Sequence, residues 1–181
     1  NPEVRTTFVK RAAMMAAIRK WYTDHGFLKV ETPVLQPLYG GANAKPFTTH
    51  FNALDMTMYL RIAPELYLKR LLVGGYERIF EITRNFRNEG MDTRHNPEFT
   101  AIETYQAYGD IEDVIKQTEE IVEACALASY GTTKFTYEGT QIDVKGPWPR
   151  LTMAGAVNTQ VKTSMHAKPS KTLARLLTNS M

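Results

Sequence analysis

The residue types with the most chemistry in this chain are gathered between positions 86 and 105. They run Phe86-Arg87-Asn88-Glu89-Gly90, then His95-Asn96-Pro97-Glu98-Phe99-Thr100, then Glu103-Thr104-Tyr105. An arginine and a glutamate leave one predicted strand, a polar loop turns, and an aromatic residue opens the next strand. Side chains of an extended strand alternate faces, so the odd-numbered Phe99, Glu103 and Tyr105 project from one side. One surface then offers a π-platform, an arginine for an anion and a carboxylate for a cation. That combination suits a nucleoside triphosphate lying beside a small charged substrate.

The elements that must hold these residues follow from periodicity. Phe8, Ala12, Met15, Ile18, Trp21 and Tyr22 recur at three-to-four spacing and predict an amphipathic helix over 3–25, ended by Gly26 in a left-handed cap. A strand over Phe27–Thr32 is closed by Pro33, which has no amide proton for a ladder. Met58–Ile62 predicts another strand. A helix follows, with Pro64 near its first position, Glu65 at the positive end of its dipole and Gly74-Gly75 as its stop. Glu77–Arg87 and Phe99–Tyr108 predict two strands whose long connecting loop suits function better than a tight turn. Asp110 is placed to cap a helix carrying Ile111, Val114, Ile115, Ile121, Val122 and Cys125 on one face. Glu138-Gly139 marks a hairpin between Thr133–Tyr137 and Gln141–Val144. The sum is an α+β fold, a mostly antiparallel sheet with helices on one side.

Bulk properties narrow the function classes. A chain of 181 residues, 43% hydrophobic and 10% aromatic, is long and apolar enough for one folded domain. No run approaches the roughly 18 apolar residues of a membrane span, and no signal peptide opens the sequence. A single cysteine, Cys125, permits no internal disulfide and fits the cytoplasm. The net charge of +3 is uneven: residues 158–181 carry Lys162, Lys168, Lys171 and Arg175 and no acid, whereas residues 1–157 hold 18 basic against 19 acidic residues. The main part of the chain is therefore not a basic nucleic-acid reader. Gly40-Gly41 lacks the Gly-Lys-Ser/Thr ending of a phosphate-binding loop. His25, His50, His95 and His166 lack metal-ligand spacing.

The stretch 86–105 resembles motif 2 of the class II aminoacyl-tRNA synthetases, in the form found in bacterial-type lysyl-tRNA synthetases. Residues 3–33, ending Gly26-Phe27-Leu28-Lys29-Val30-Glu31-Thr32-Pro33, resemble motif 1 of that class. Gly40-Gly41-Ala42-Asn43-Ala44-Lys45-Pro46-Phe47, Arg61-Ile62-Ala63-Pro64-Glu65-Leu66-Tyr67 and Tyr105-Gln106-Ala107-Tyr108 are similar to the lysine branch. The likeness runs from about residue 3 to about residue 157. It implies a synthetase-like sheet and a homodimer built through residues 3–33.

The resemblance also implies a reaction. A lysine carboxylate attacks the α-phosphorus of ATP, pyrophosphate leaves, and lysine passes to tRNA(Lys). Arg87 is the expected catalytic group, its planar fork bridging the α-phosphate and the lysine carboxylate. Asn88, Glu89, His95 and Asn96 are expected at the adenine edge and outer phosphates, and Phe99 beneath the base. Glu103, with Tyr105 beside it, is expected to select L-lysine by its ε-ammonium, because an uncharged rival would leave a buried carboxylate unpaired. Glu65 and the backbone at Gly41 are expected to hold the α-amino group. Any metal would be Mg²⁺ carried with ATP.

Residues 1–157 thus read as the first half of a synthetase catalytic domain, with 158–181 an unassigned basic tail. The tail reads as solvated, with a short helix around Lys171–Leu177 as the alternative. No stretch resembles motif 3, which in this class supplies a second phosphate arginine and the acids for Mg²⁺, so no metal ligand is expected in this chain. Two other readings stand beside lysine activation. One is a synthetase-like ligase that attaches an amino acid to a protein; the other is a non-catalytic binding module.

Overall fold

A computed structural model describes residues 1–158. The chain divides into two units, Asn1–Gly146 and the segment from Pro147 onward; within the latter, residues 153–158 are helical. The expected tail lies, apart from its first residue, outside the described residues.

Helix α1 spans Pro2–Asp24, its first turn capped by the Asn1 side chain, which accepts from the Glu3 amide at 3.0 Å. Gly26, at φ +77°, turns the chain out of the helix as its sequence position predicts. Strands β1 (Leu28–Lys29), β2 (Leu35–Gln36), β3 (Thr48–Phe51) and β4 (Met56–Leu60) precede helix α2 (Glu65–Val73). Strands β5 (Arg78–Phe86) and β6 (Glu98–Gln106) follow, then helix α3 (Ile111–Tyr130) and the hairpin β7 (Lys134–Tyr137) and β8 (Thr140–Asp143). The capping box of Asp110 with Asp113 starts α3. Glu138 and Gly139 both take positive φ at the hairpin turn, the conformation favoured for two-residue hairpins.

The strands form three sheets, ordered β1-β5-β6, β2-β4-β3 and β7-β8. All pairings are antiparallel except β1 with β5, which is parallel. The long β5–β6 pair fixes the register on which the chemistry depends: Ile79 faces Tyr105, Glu81 faces Glu103, Thr83 faces Ala101 and Asn85 faces Phe99. The even-numbered face, through Phe80 and Ile82, packs on Ile18, Trp21 and Tyr22 of α1 and Ile121 of α3, with Phe27 completing the cluster. The Tyr22 ring stacks on Phe80 with centroids 4.7 Å apart.

Four expectations are corrected. Helices do not lie on one side: α1 and α3 cover the Phe80 face, while α2 also contacts β5 and β6 and brings Glu65 toward Glu103 on the opposite face. The strand predicted over Phe27–Thr32 is shorter, Leu28–Lys29, with one further bond from the Val30 amide to Phe80 O at 3.0 Å; beyond it the Thr32 carbonyl accepts from the Arg61 side chain. The strand predicted over Met58–Ile62 ends at Leu60, where Arg61 goes into the interior. The strand expected to reach Tyr108 ends at Gln106, and Tyr108 adopts φ +60° with its ring in solvent. The helix stripes also shift. Phe8, Ile111 and Val114 are exposed, whereas Gln117 is buried and donates to the Tyr22 hydroxyl at 2.7 Å.

Candidate active site

The loop between β5 and β6 is pinned to the ladder and to the segment 40–47. The Arg87 amide donates to Pro97 O at 2.8 Å and the Asn88 amide to Lys45 O at 2.7 Å. In return the Lys45 amide donates to Glu89 Oε1 at 3.2 Å. Asp92 organises the loop's far end. Its Oδ1 accepts from the amides of Arg94 and His95, at 2.7 and 2.8 Å, and its Oδ2 lies 2.7 Å from His95 Nδ1. These amides and the His95 ring hold the Asp92 carboxyl below its ordinary range. Sequence reading missed Asp92, although an Asp three residues ahead of a His in a loop is a signal for this turn.

A cavity of about 270 Å³ opens here, lined by Arg87, Glu89, Gly90, Arg94, His95, Asn96 and Phe99. Five of the six residues expected at ATP line it. Asn88 does not; it contributes a backbone bond that ties the loop to Lys45. Arg94, an unforeseen member, adds a second cation to the lining. A larger cavity of about 310 Å³, lined by Trp21, His25, Arg78, Lys116 and Glu120 among others, contains none of the expected site residues. There Arg78 and Lys116 are balanced by Asp113 and Glu120, whereas Arg87 and Arg94 outnumber Glu89 in the smaller cavity, which is the better anion receptor.

The residues expected at lysine form a second cluster. Gly41 sits at φ +85°, and a Cβ there would come within 2.8 Å of Glu65 Cβ, so glycine permits the close approach of the two segments. Glu65 also pairs with Lys69 one turn along α2. Glu103 accepts from the Tyr105 hydroxyl at 3.3 Å. Burial pushes the Glu103 carboxyl above its usual value, and the negative charges of Glu65 and Glu81 add to the rise, while Tyr105 and Arg87 oppose it. Tyr105 is raised as well, by burial and then by the charges of Glu103 and Glu65. A concentration of carboxylate on one partly dry face is a cation receptor.

Arg87 joins the two clusters. Its guanidinium lies over the Phe99 ring, Cζ 5.1 Å from the centroid, its Nε donates to Ile62 O at 3.4 Å, and its charge reaches Glu103. Below them on β5, Thr83 and Asn85 are buried, and neither Thr83 Oγ1 nor Asn85 Oδ1 has a hydrogen-bond partner among the described residues. Among the described residues no group of three or more His, Cys, Asp or Glu is placed to hold a metal ion. No helix among them is long and apolar enough to cross a membrane.

The chain is 58% identical over 153 residues to a lysine--tRNA ligase of Pelotomaculum thermopropionicum, covering 84% of this chain and 30% of that protein. It is 59% identical over 157 residues to a lysine--tRNA ligase of Clostridium novyi, covering 87% and 31%. A lysine--tRNA ligase of Syntrophomonas wolfei is 56% identical over 157 residues, covering 87% and 32%. The chain thus spans about a third of the length of these relatives. The family described as tRNA synthetases class II (D, K and N) matches over residues 1–177, and the chain belongs to that family.

Proposed function

We propose that this chain carries part of the active site of a lysine--tRNA ligase, which activates L-lysine with ATP and transfers it to tRNA(Lys). The observation that carries the reading is the placing of Arg87 between a cationic, aromatic cavity and a carboxylate cluster. ATP fills the first, its base on Phe99 and its phosphates toward Arg87, Arg94 and His95. Lysine fills the second, its ε-ammonium on Glu103 and Tyr105, its α-amino group on Glu65 and the Gly41 backbone. Arg87 then meets both reacting anions, the α-phosphate and the attacking carboxylate. A guanidinium can hold the two together and stabilise the charge that builds on phosphorus as pyrophosphate leaves. Mg²⁺ would arrive with ATP, held largely by the phosphates and water, and would neutralise phosphate charge.

On this reading residues 1–157 belong to the catalytic domain and 158–181 lie beyond the part assigned. The enzyme works in the cytoplasm as a homodimer through residues 3–33. The exposed Val4, Phe8 and Val9 of α1 supply an apolar surface that a second copy would cover. The identities to lysine--tRNA ligases favour this over attachment of an amino acid to a protein, and the joined clusters favour it over a non-catalytic module.

The test is lysine-dependent ATP–pyrophosphate exchange, run on this chain and on a form extended downstream by the sequence its relatives carry. Robust exchange in the extended form and weak exchange in the short one is expected. Equal exchange with many amino acids would refute the lysine assignment.

A further inference from the structure

A buried ion pair lies beside the carboxylate cluster and holds one of its charges, Glu81. Arg61 and Glu81 are almost fully buried and paired, Nη1 to Oε1 at 2.8 Å. Burial of a charge pair is costly and is weak evidence of stabilisation, so what the pair holds in place is the better guide to its role. Arg61 ties its own segment to two others, the stretch around Thr32 and strand β5. Its Nη1 donates to Thr32 O at 3.0 Å and Thr32 Oγ1 at 3.2 Å, and its Nε donates to Arg84 O at 2.9 Å. The Thr32 hydroxyl closes the ring by donating to Glu81 Oε2 at 2.6 Å. The backbone of Arg61 adds two bonds, its amide to Val34 O at 2.9 Å and its carbonyl from the Phe86 amide at 3.0 Å.

These bonds act where the site is assembled. Phe86 is the last residue of β5 and directly precedes Arg87. Ile62, next after Arg61, accepts from Arg87 Nε, and Glu65 opens α2 three residues further on. Glu81 faces Glu103 across the ladder. A lysine in place of Arg61 could keep the charge but has no planar fork to reach Thr32 and Arg84 together.

We infer that Arg61 and Glu81 are positioning residues: their buried pair locks the end of β4 onto β5 and so sets Arg87 and Glu65 at the separation that bound ATP and lysine require. The inference rests on the lysine-activation reading for its catalytic consequence, though not for the geometry.

Two experiments decide it. In the extended chain, the double variant Arg61→Met/Glu81→Met replaces the ion pair by apolar groups of similar length, an exchange that buried pairs often tolerate. It is expected to fold cooperatively with a lowered melting temperature, because Thr32 O and Arg84 O lose their donor, and to lose on the order of 10–100-fold in kcat/KM for lysine, with KM raised, as misplaced groups do. A folded double variant with parental KM and kcat overturns the inference. On the present chain, Arg61→Lys is compared with the parent by amide hydrogen exchange. Protection is expected to fall over residues 60–65 and 84–88 while α1 keeps its own; unchanged protection there also overturns it. If the extended parent shows no exchange activity, the lysine reading fails, and the hydrogen-exchange comparison still decides the positioning role.

Discussion

Arg87 stacks over Phe99, its guanidinium carbon 5.1 Å from the ring centre, although Arg87 opens the eleven-residue connection between β5 and β6 and Phe99 lies just past its far end, in β6. The contact holds the arginine at the mouth of the cavity and keeps the ring oriented. On the proposed function Phe99 is a shared surface, taken by the Arg87 cation in the free protein and by the base once ATP binds.

Phe99→Ala is therefore expected to weaken ATP binding by roughly 10–100-fold, the 1–3 kcal/mol of one stacked base. Phe99→Tyr should retain most of it. Titration calorimetry with ATP on the extended chain checks this. An Ala variant with parental affinity would show that the base lies elsewhere.

Near the raised pKa of Glu103, lysine binding should release a proton. Glu103 has a raised pKa in the free protein, chiefly through burial, and a bound ammonium favours its ionised form. Affinity is then expected to fall as pH drops through that raised value, and Glu103→Gln should remove both the pH dependence and the preference for lysine. The sign for stability runs the other way. A carboxyl raised on folding contributes stability that is present below the unfolded pKa and lost as pH rises through the folded one. Glu103→Gln should consequently raise the melting temperature at neutral pH, with the gain shrinking in acid, as calorimetric scans across pH would show.

Gly41→Ala should injure lysine binding more than ATP binding. The substitution adds a Cβ at positive φ and forces it against Glu65 Cβ at 2.8 Å. A cost of about 1–3 kcal/mol is expected from strain of this kind, drawn from the placing of Glu65. Separate KM values for the two substrates measure the split, and an equal rise in both would count against the assignment of Gly41 and Glu65 to the amino group.

Phe8→Glu tests the interface proposed for α1. Phe8 is 68% exposed in the single chain, so the change should leave its fold intact. Sedimentation is expected to show the parent as a dimer and the variant shifted to monomer. A parent that sediments as a monomer at high concentration would remove residues 3–33 from the interface.

Much of the site was legible before the fold because strand parity and short-range turn chemistry are local. The alternation of Phe99, Glu103 and Tyr105, the Asp110 cap and the Glu138-Gly139 turn each need only a few neighbouring residues. The sequence by itself determined which side chains share the β6 face and which loop carries the phosphate-seeking groups. What it did not contain was distance along the chain. The pairing of Arg61 with Glu81, the approach of Gly41 to Glu65 and the tie between Lys45 and Glu89 link residues 20 to 44 positions apart. No periodicity encodes such contacts. They were decided by tertiary structure: burial leaves Arg61 and Glu81 few partners and makes the one within reach obligatory, while the packing of segment 40–47 brings Gly41 to Glu65 and the exposed Lys45 to Glu89.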